Sequence, residues 1–338
     1  MRSVLRTALS IPILLAEVSV ARAEGISLRL PLACEPGHTC FVQHYVDHDP
    51  SPGIRDYACG SQTNDGHDGT DFRPPTRAAE AREVGTVLAA ASGRVLRTRN
   101  DVPDVSVRET GRAAVAGVEC GNGLVIAHAG GYETQYCHLA RDSLRVRSGD
   151  VVAAGQPIGQ AGLSGATEFP HLHFTVRQHG KVVDPFAPGA TTGACDAEAK
   201  LVSALWDEVA RGRLVYRAGT VLNSGFAGGP VSMDAVEAEA TEAAGPNADA
   251  LVAWVRAIGL APGDVQQLNL TGPDGKVIIE RQEPPLVRPR AQSLLYAGKK
   301  RPPEGWLPGT YTATFKVMRS GSAAIEHTFT AMLPTQVP

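Results

Sequence analysis

The chain lacks the signatures of several large classes of protein. Its 32 Lys and Arg residues do not exceed its 35 Asp and Glu residues, so the net charge is −3 and no basic surface for nucleic acid is indicated. No apolar run reaches the roughly 18 residues that a membrane-spanning helix needs. A heptad array, an internal repeat and a Walker-type loop are also missing from the sequence. We therefore expect no nucleic-acid partner, no coiled coil and no integral membrane segment.

Aromatic residues are scarce at 5%, whereas 36 glycines and 24 prolines are available to form turns. Short strand-like runs separated by glycine turns extend over 85–186, and a second group of such runs fills the C-terminal third. A length of 338 residues suggests about two domains. We predict an all-β protein, and the alternation in YTATFKV (311–317) favours an immunoglobulin-like β-sandwich in the C-terminal third.

The N-terminus has the form of a secretory signal. Arg2 and Arg6 provide a positive start, ALSIPILL (8–15) is a short apolar core, and ARA (21–23) matches a cleavage site. We therefore predict that 1–23 is a signal peptide and that the mature protein is periplasmic or secreted.

None of the six cysteines forms a C-x-x-C pair, which argues against thiol redox chemistry and against a zinc knuckle. In an exported chain six cysteines favour disulfides, because the compartments outside the cytoplasm are oxidising. Six cysteines allow 15 sets of pairings. We favour Cys34–Cys40, which closes a small loop, and Cys120–Cys137, so that Cys59–Cys195 follows by elimination.

Two histidine patterns carry the strongest chemical signal. HDGTD (67–71) has the form His-x-Gly-x-Asp, and HLH (171–173) lies in a run with the composition of a strand. Alternate residues of a strand share a face, so both histidines of the second pattern can reach one cleft. A catalytic zinc needs three nitrogen or oxygen ligands and one open position. His67, Asp71 and one of these two histidines would supply such a set and would leave the other for acid–base work.

The same region resembles the LytM/lysostaphin-type zinc endopeptidases, which cut peptidoglycan. The resemblance runs from about Gly66 to Phe186 and does not cover the C-terminal third. It rests on several motifs in the family's order, namely GHDGTDF (66–72), GNGLVIAH (121–128), YETQYCHL (132–139), SGDVVAAGQPIGQAGLSG (148–165) and PHLHF (170–174).

The resemblance implies a β-sheet catalytic domain that holds one zinc ion per chain. Matched residue by residue, it makes His67, Asp71 and His173 the zinc ligands. It makes His138 and His171 the catalytic histidines, without dividing the acid–base and oxyanion-stabilising roles between them. Because all five residues are present, the resemblance favours a working enzyme.

These features together predict the organisation of the chain. After the signal peptide at 1–23 we predict a disulfide-bearing arm at 24–60. A LytM-type zinc peptidase domain at 61–195 and a connector at 196–212, with helical periodicity over 196–209, come before a β-sandwich domain at 213–338.

The predicted function is that of an exported zinc metalloendopeptidase, which hydrolyses peptide cross-links or stem peptides of bacterial peptidoglycan. One alternative is a non-catalytic protein that binds the cell wall or regulates another wall hydrolase. The intact ligand set counts against that alternative, because a binding module has no need of an open zinc site. A second alternative is a zinc endopeptidase that acts on other extracellular proteins. The sequence has no feature that separates this second alternative from the first reading or that indicates an oligomeric state.

The remaining histidines have simpler interpretations. We expect His128, at the end of LVIAH, to be a structural histidine whose ring is hydrogen-bonded. We expect His44 and His48, in the arm, to be solvated or to cap turns, with a role in lining the groove as the less favoured alternative.

Overall fold

A computed structural model describes residues 25–81, 85–189 and 203–335. The predicted signal peptide at 1–23 and Cys195 lie outside these ranges. Within them the chain is nearly all β, as the sequence predicts, and its named strands pair antiparallel in four sheets. No helix in the described ranges is both long and apolar enough to cross a membrane.

Ten strands belong to the first part of the chain and form one large and one small sheet. They are β1 (Phe41–His44), β2 (Thr70–Arg73), β3 (Thr86–Leu88), β4 (Gly93–Arg99), β5 (Asn122–Ala127), β6 (Tyr132–Leu139), β7 (Val151–Val152), β8 (Pro157–Gln160), β9 (Leu172–Gln178) and β10 (Lys181–Val182). The large sheet has the order β1-β2-β9-β6-β5-β4-β7, with β10 also paired to β9, whereas β3 pairs with β8.

The register of the large sheet places a row of polar residues across four strands. Asp71 on β2 is the direct partner of His44 on β1 and of His173 on β9. His173 is in turn the partner of Cys137 on β6, the residue before His138. Because side chains that oppose one another across a sheet lie on one face, the strand order by itself gathers these residues.

Short helices connect the strands. Within the described ranges the named α-helices are α1 (Arg77–Glu80), α2 (Val107–Thr110), α3 (Glu208–Arg213) and α4 (Met233–Glu237), and 3-10 turns occupy Arg112–Val115 and Ala129–Gly131. A hydroxyl or carboxylate oxygen accepts a backbone N–H at the start of every α-helix, from Thr76, Ser106, Asp207 and Ser232 respectively. The polar segment 99–118 contains α2 and the 3-10 turn at Arg112–Val115.

Seven further strands form the C-terminal unit. They are β11 (Thr220–Ala227), β12 (Ala250–Leu260), β13 (Val265–Thr271), β14 (Val277–Gln282), β15 (Arg290–Lys300), β16 (Gly309–Arg319) and β17 (Ser322–Leu333). One sheet has the order β11-β12-β15 and the other β14-β13-β16-β17. Apolar side chains from both sheets, among them Val255 and Phe315, are buried in one core between them.

A tyrosine fixes the corner between the two sheets. Tyr311, near the start of β16, donates its hydroxyl to the carbonyl oxygen of Leu307 at 3.0 Å. Such a tyrosine, bonded to backbone a few residues upstream, is typical of immunoglobulin-like sandwiches. The strand division into three and four and this corner fit the predicted immunoglobulin-like fold.

The predicted arm and the predicted connector both contribute side chains to the core beneath the large sheet. Leu28 and Leu32 of the arm, and Trp206 and Ala210 of the connector, are buried in the same core as the large sheet. Residues 204–207 are not helical, because Trp206 pairs with Leu28 and inserts its ring among core aromatics. In the described part of the helix predicted over 196–209, Ser203 is helical, the helix is interrupted over 204–207, and it resumes after the Asp207 cap.

A buried ion network joins the two units. Glu237, the last residue of α4, lies between Arg73 of β2 and Arg256 of β12, whose side chains are both fully buried. Its Oε1 accepts hydrogen bonds from Arg73 Nη2 (2.7 Å) and from Arg256, and its Oε2 accepts one from the backbone of Arg77 (2.9 Å). Burial lowers the pKa of Arg73 to about 10, although the Glu237 carboxylate opposes this shift.

We expect Glu237→Ala to destabilise the protein by about 3–5 kcal/mol, because it leaves two buried guanidinium groups without their counter-charge. The measurement is the free energy of unfolding in urea. Asp234→Ala is the matched control on the same helix. The exposed Asp234–Arg108 pair, at 3.8 Å, contributes at most about 1 kcal/mol. Equal losses in the two variants would contradict the role given to Glu237.

Glu80, the last residue of α1, is a buried acidic side chain, and the charge of its ionised form is poorly compensated. Its Oε1 has no hydrogen-bond partner within the described part of the chain. Burial raises the pKa of this carboxyl well above its usual value, and the nearby Asp104 carboxylate raises it further. The folded protein therefore holds a proton that the unfolded chain releases, so Glu80 lowers stability as pH rises above the unfolded pKa.

We predict that Glu80→Gln is more stable than the wild type at neutral pH and equally stable near pH 4. The amide keeps the shape of the side chain but does not ionise, so the difference between the two proteins should grow as pH rises. Urea unfolding between pH 4 and 8 measures it, with the exposed Glu304→Gln as control. A pH-independent difference would show that ionisation of Glu80 is not the cause.

Candidate active site

One cleft collects the residues that the sequence patterns select. It has a volume of about 850 Å³ and opens along the row of polar residues on the large sheet. All five predicted site residues line this cleft, together with one histidine of the arm; they are His44, His67, Asp71, His138, His171 and His173.

The carboxylate of Asp71 is the centre of the cleft. Its Oδ2 lies 2.9 Å from Nδ1 of His44 and 3.2 Å from Nε2 of His67. Its Oδ1 lies 2.9 Å from Nδ1 of His173 and 3.4 Å from Nε2 of His171. Burial alone would raise the pKa of Asp71, but the charges and hydrogen bonds of these imidazoles hold it well below its usual value.

Three of the histidines are oriented by backbone carbonyls. In each of them Nδ1 lies 2.8–3.0 Å from a carbonyl oxygen. Because a carbonyl oxygen only accepts, this Nδ1 carries a proton, and in the neutral imidazole Nε2 offers its lone pair to the cleft. The pairs are His67 with Tyr45, His138 with Ser164 and His171 with Phe169.

His173 has the opposite orientation. Its Nδ1 faces Asp71, whereas its Nε2 is 3.1 Å from Oδ1 of Asp68 and 3.0 Å from the hydroxyl of Thr175. Arg177 donates to the other oxygen of Asp68 at 2.8 Å and so fixes that carboxylate. Burial lowers the pKa of His173, but the hydrogen bonds to Asp68 and Asp71 outweigh burial and raise it to about 9.

The donor atoms suit a metal ion of tetrahedral coordination. With metal–ligand bonds of about 2.0–2.2 Å, two tetrahedral ligand atoms are about 3.3–3.6 Å apart. The predicted ligands approach one another slightly more closely, at 3.2 Å for His67 Nε2 to Asp71 Oδ2 and 2.9 Å for His173 Nδ1 to Asp71 Oδ1, so the two histidines face different oxygens of Asp71. Two compact groups of possible ligands meet here, His44 with His67 and Asp71, and His138 with His171 and His173. The predicted trio takes members from both groups.

His138 occupies an unusual backbone position at the end of β6. Its φ of 63° lies in the left-handed region, which residues other than glycine adopt rarely. The backbone N–H of His138 donates to the carbonyl of Cys120 (2.8 Å), and the disulfide Cys120–Cys137 joins the same two segments. The His138 ring lies 4.7 Å from that of His171. Burial, and then the neighbouring imidazoles of His171 and His173, lower the pKa of His138 well below its usual value.

Two predicted disulfides are confirmed, Cys34–Cys40 and Cys120–Cys137. The third predicted pair includes Cys195, which lies outside the described residues. No cysteine in the described ranges is free.

His128 has the structural role that the sequence predicts, because its ring nitrogens lie 2.9 Å from the Ser92 carbonyl and 2.8 Å from the Thr134 hydroxyl. His48 of the arm pairs with Asp184 at 2.7 Å, away from the cleft. His44, by contrast, is buried in the cleft and contacts Asp71, so the expectation that it is solvated or caps a turn is wrong.

Asp68 is the second cleft residue that the sequence interpretation does not single out. It lies inside the His-x-Gly-x-Asp pattern, next to His67, so the signal for it is its position in the motif. No local pattern points to His44, because its contact with Asp71 depends on the pairing of β1 with β2.

Comparison with known proteins finds a family model that matches the segment carrying most of this cleft. Residues 65–185, which contain all five predicted site residues, match the family model of Peptidase family M23. The peptidoglycan DD-endopeptidase ShyB of Vibrio cholerae is 34% identical over 118 residues, which are 35% of this chain and 22% of that protein. ShyA of the same organism is 33% identical over 119 residues, with the same coverage. The chain thus spans about a fifth of the length of these relatives.

Among solved structures, a zinc-containing peptidase from Vibrio cholerae is 28% identical, with 43% of this chain and 39% of that chain covered and a TM-score of 0.27. The resemblance to LytM/lysostaphin-type peptidases is confirmed for the matched segment by the family match and by the identities with the curated relatives.

We predict that the two described disulfides contribute unequally to stability. Cys120–Cys137 spans 17 residues and Cys34–Cys40 only 6, so loss of loop-closure entropy in the unfolded chain is worth about 3 and about 2 kcal/mol respectively. Urea unfolding of the two double Cys→Ala variants measures the difference. A larger loss for the Cys34/Cys40 variant would contradict the entropic account.

Proposed function

Because residues 65–185 carry a Peptidase family M23 domain, we propose that the protein is an exported zinc metalloendopeptidase that hydrolyses peptide bonds of bacterial peptidoglycan. The observation that carries the proposal is the convergence of four imidazoles on the buried Asp71 carboxylate. The names of the two Vibrio cholerae relatives support peptidoglycan as the substrate class. The disulfides support an oxidising compartment outside the cytoplasm.

We assign the metal to His67 Nε2, Asp71 and His173 Nδ1. Zinc held by these residues would supply a Lewis acid and would lower the pKa of water at the site toward neutrality. The chain supplies the rigidity: the Tyr45 carbonyl holds the ring of His67, and Asp68 holds that of His173. Such outer partners fix the tautomer and the direction of a ligand ring.

His138 and His171 complete the site from its other side. Both rings donate Nδ1–H to a carbonyl, so each turns an unprotonated Nε2 toward the same space. A neutral imidazole in this position accepts a proton from the attacking water, and the imidazolium then donates to the departing amine or stabilises the oxyanion. We propose that the two histidines act as a pair in these roles.

The shape of the surroundings suits a long peptide. A second cavity of about 390 Å³ adjoins the cleft at Glu168 and Phe169. Met233 and Gln292 of the C-terminal unit also line this second cavity. A substrate that extends beyond the reacting bond, such as a cross-linked stem peptide, has room to continue there.

We expect the mature protein to release muropeptides from purified sacculi and to stop doing so when a chelator is present. His138→Ala and His171→Ala should each retain the metal and lose about 10²–10⁴ in rate, the usual cost of losing an acid–base group. Chromatography with mass spectrometry of the products measures the release and identifies the bond, and elemental analysis measures the zinc.

His128→Ala is the control, because this ring is hydrogen-bonded within the same sheet but does not line the cleft. Wild-type rates in the His138 or His171 variant would overturn the role of that residue. Cleavage that survives chelation would overturn the metal mechanism. Zinc binding without any release from sacculi would indicate a wall-binding or regulatory protein, and digestion of other proteins in its place would indicate a different substrate.

A further inference from the structure

We propose that His44 is a positioning residue, which holds the Asp71 carboxylate in the orientation that directs it at the metal. The proposal rests on the assignment of Asp71 as a ligand in the proposed function. It adds a residue of the N-terminal arm to the metal site, although His44 lies 21 residues before the segment that matches the family.

A bulge in the backbone of β1 directs the His44 side chain toward Asp71. Phe41 and Val42 pair with Arg73 and Phe72 in regular register, but His44 and not Gln43 is the partner of Asp71. The extra residue is a β-bulge, a feature that commonly re-aims a side chain beside an active site. Because one additional residue reverses the face on which the following side chain lies, the bulge is what turns the His44 ring toward the carboxylate.

The direction of the hydrogen bond follows from the partners. An ionised carboxylate only accepts, so Nδ1 of His44 carries the proton and donates it to Asp71 Oδ2 over 2.9 Å. Both side chains are buried, with 6% and 4% of their surface exposed, so water does not compete for this bond. His44 differs in this respect from His67, His138 and His171, each of which donates its Nδ1–H to a backbone carbonyl.

The consequence for the carboxylate is a fixed orientation between the two proposed ligand histidines, since Oδ2 lies 3.2 Å from His67 Nε2 and Oδ1 lies 2.9 Å from His173 Nδ1. With Oδ2 held by His44, rotation of the carboxylate is restricted and Oδ1 stays on the side of His173. Outer partners of metal ligands typically contribute 10–100-fold to metal affinity, because they fix the ligand before the metal arrives.

We expect His44→Ala to raise the dissociation constant for zinc about 10–100-fold. The measurement is competition with a chelating dye, on the full mature chain and without any substrate. His44→Asn places an amide N–H at the same number of bonds from the backbone as Nδ1, so it should recover most of the lost affinity. His48→Ala is the matched control from the same arm, since His48 pairs with Asp184 and does not line the cleft. It should bind zinc as the wild type does.

An unchanged dissociation constant in His44→Ala would overturn the proposal. A His44→Asn variant as weak as His44→Ala would also overturn it, since the hydrogen bond would then not be the cause. Both results leave the proposed function intact, because the wild type still binds zinc and is tested separately on sacculi. A wild-type chain that binds no zinc would overturn both. Urea midpoints of the three variants show whether a loss of affinity comes from unfolding.

Discussion

A single buried carboxylate organises this protein's cleft. An ionised side chain removed from water costs several kcal/mol unless neighbouring groups compensate it, and Asp71 is compensated on both oxygens. The compensation comes from different parts of the chain. β1 provides His44, the turn before β2 provides His67, and β9 provides His173. A sheet in which β2 lies between β1 and β9 is the simplest arrangement that meets this demand.

The second unit is attached close to this centre. Arg73 follows Asp71 by two residues on β2, and its guanidinium lies 4.5 Å above the ring of Phe169 while it binds Glu237. The carbonyl of Phe169 in turn orients the ring of His171. A continuous chain of contacts therefore runs from the C-terminal sandwich to a proposed catalytic histidine. The proposed ligands all lie in the first unit, and the C-terminal unit supports the loop on which that histidine depends.

The features that the sequence predicts well are those fixed over short distances. The spacing within HDGTD and HLH places side chains on one turn or one strand face, so their meeting follows from local geometry. Glycine turns and alternating residues likewise indicate most strands of both units. Strands rich in small or polar residues are not predicted from these patterns. β15, for example, buries Ser293 and Ala297 beside Leu295 and has no run of large apolar residues to mark it.

What sequence reasoning misses depends on pairing across long distances. His44 reaches Asp71 only through the register of β1 with β2 and one bulged residue, and the sequence around His44 predicts neither. The helix expected over 196–209 is interrupted over 204–207 for a related reason. The burial of Trp206 against distant aromatic rings outweighs helical propensity, which is worth only tenths of a kcal/mol per residue.

The core of the first unit also determines which segment of the chain can be produced on its own. Tyr57 stacks on Phe186, and Trp206 packs against the same ring, so segments from before and after the family-matched region close one aromatic cluster. A fragment cut at 65–185 would expose that cluster to water and lose β1 with it. The smallest piece of the chain that keeps this cluster therefore runs from about residue 25 to about residue 216, with Tyr216 included, and it still leaves the buried Arg73 without Glu237.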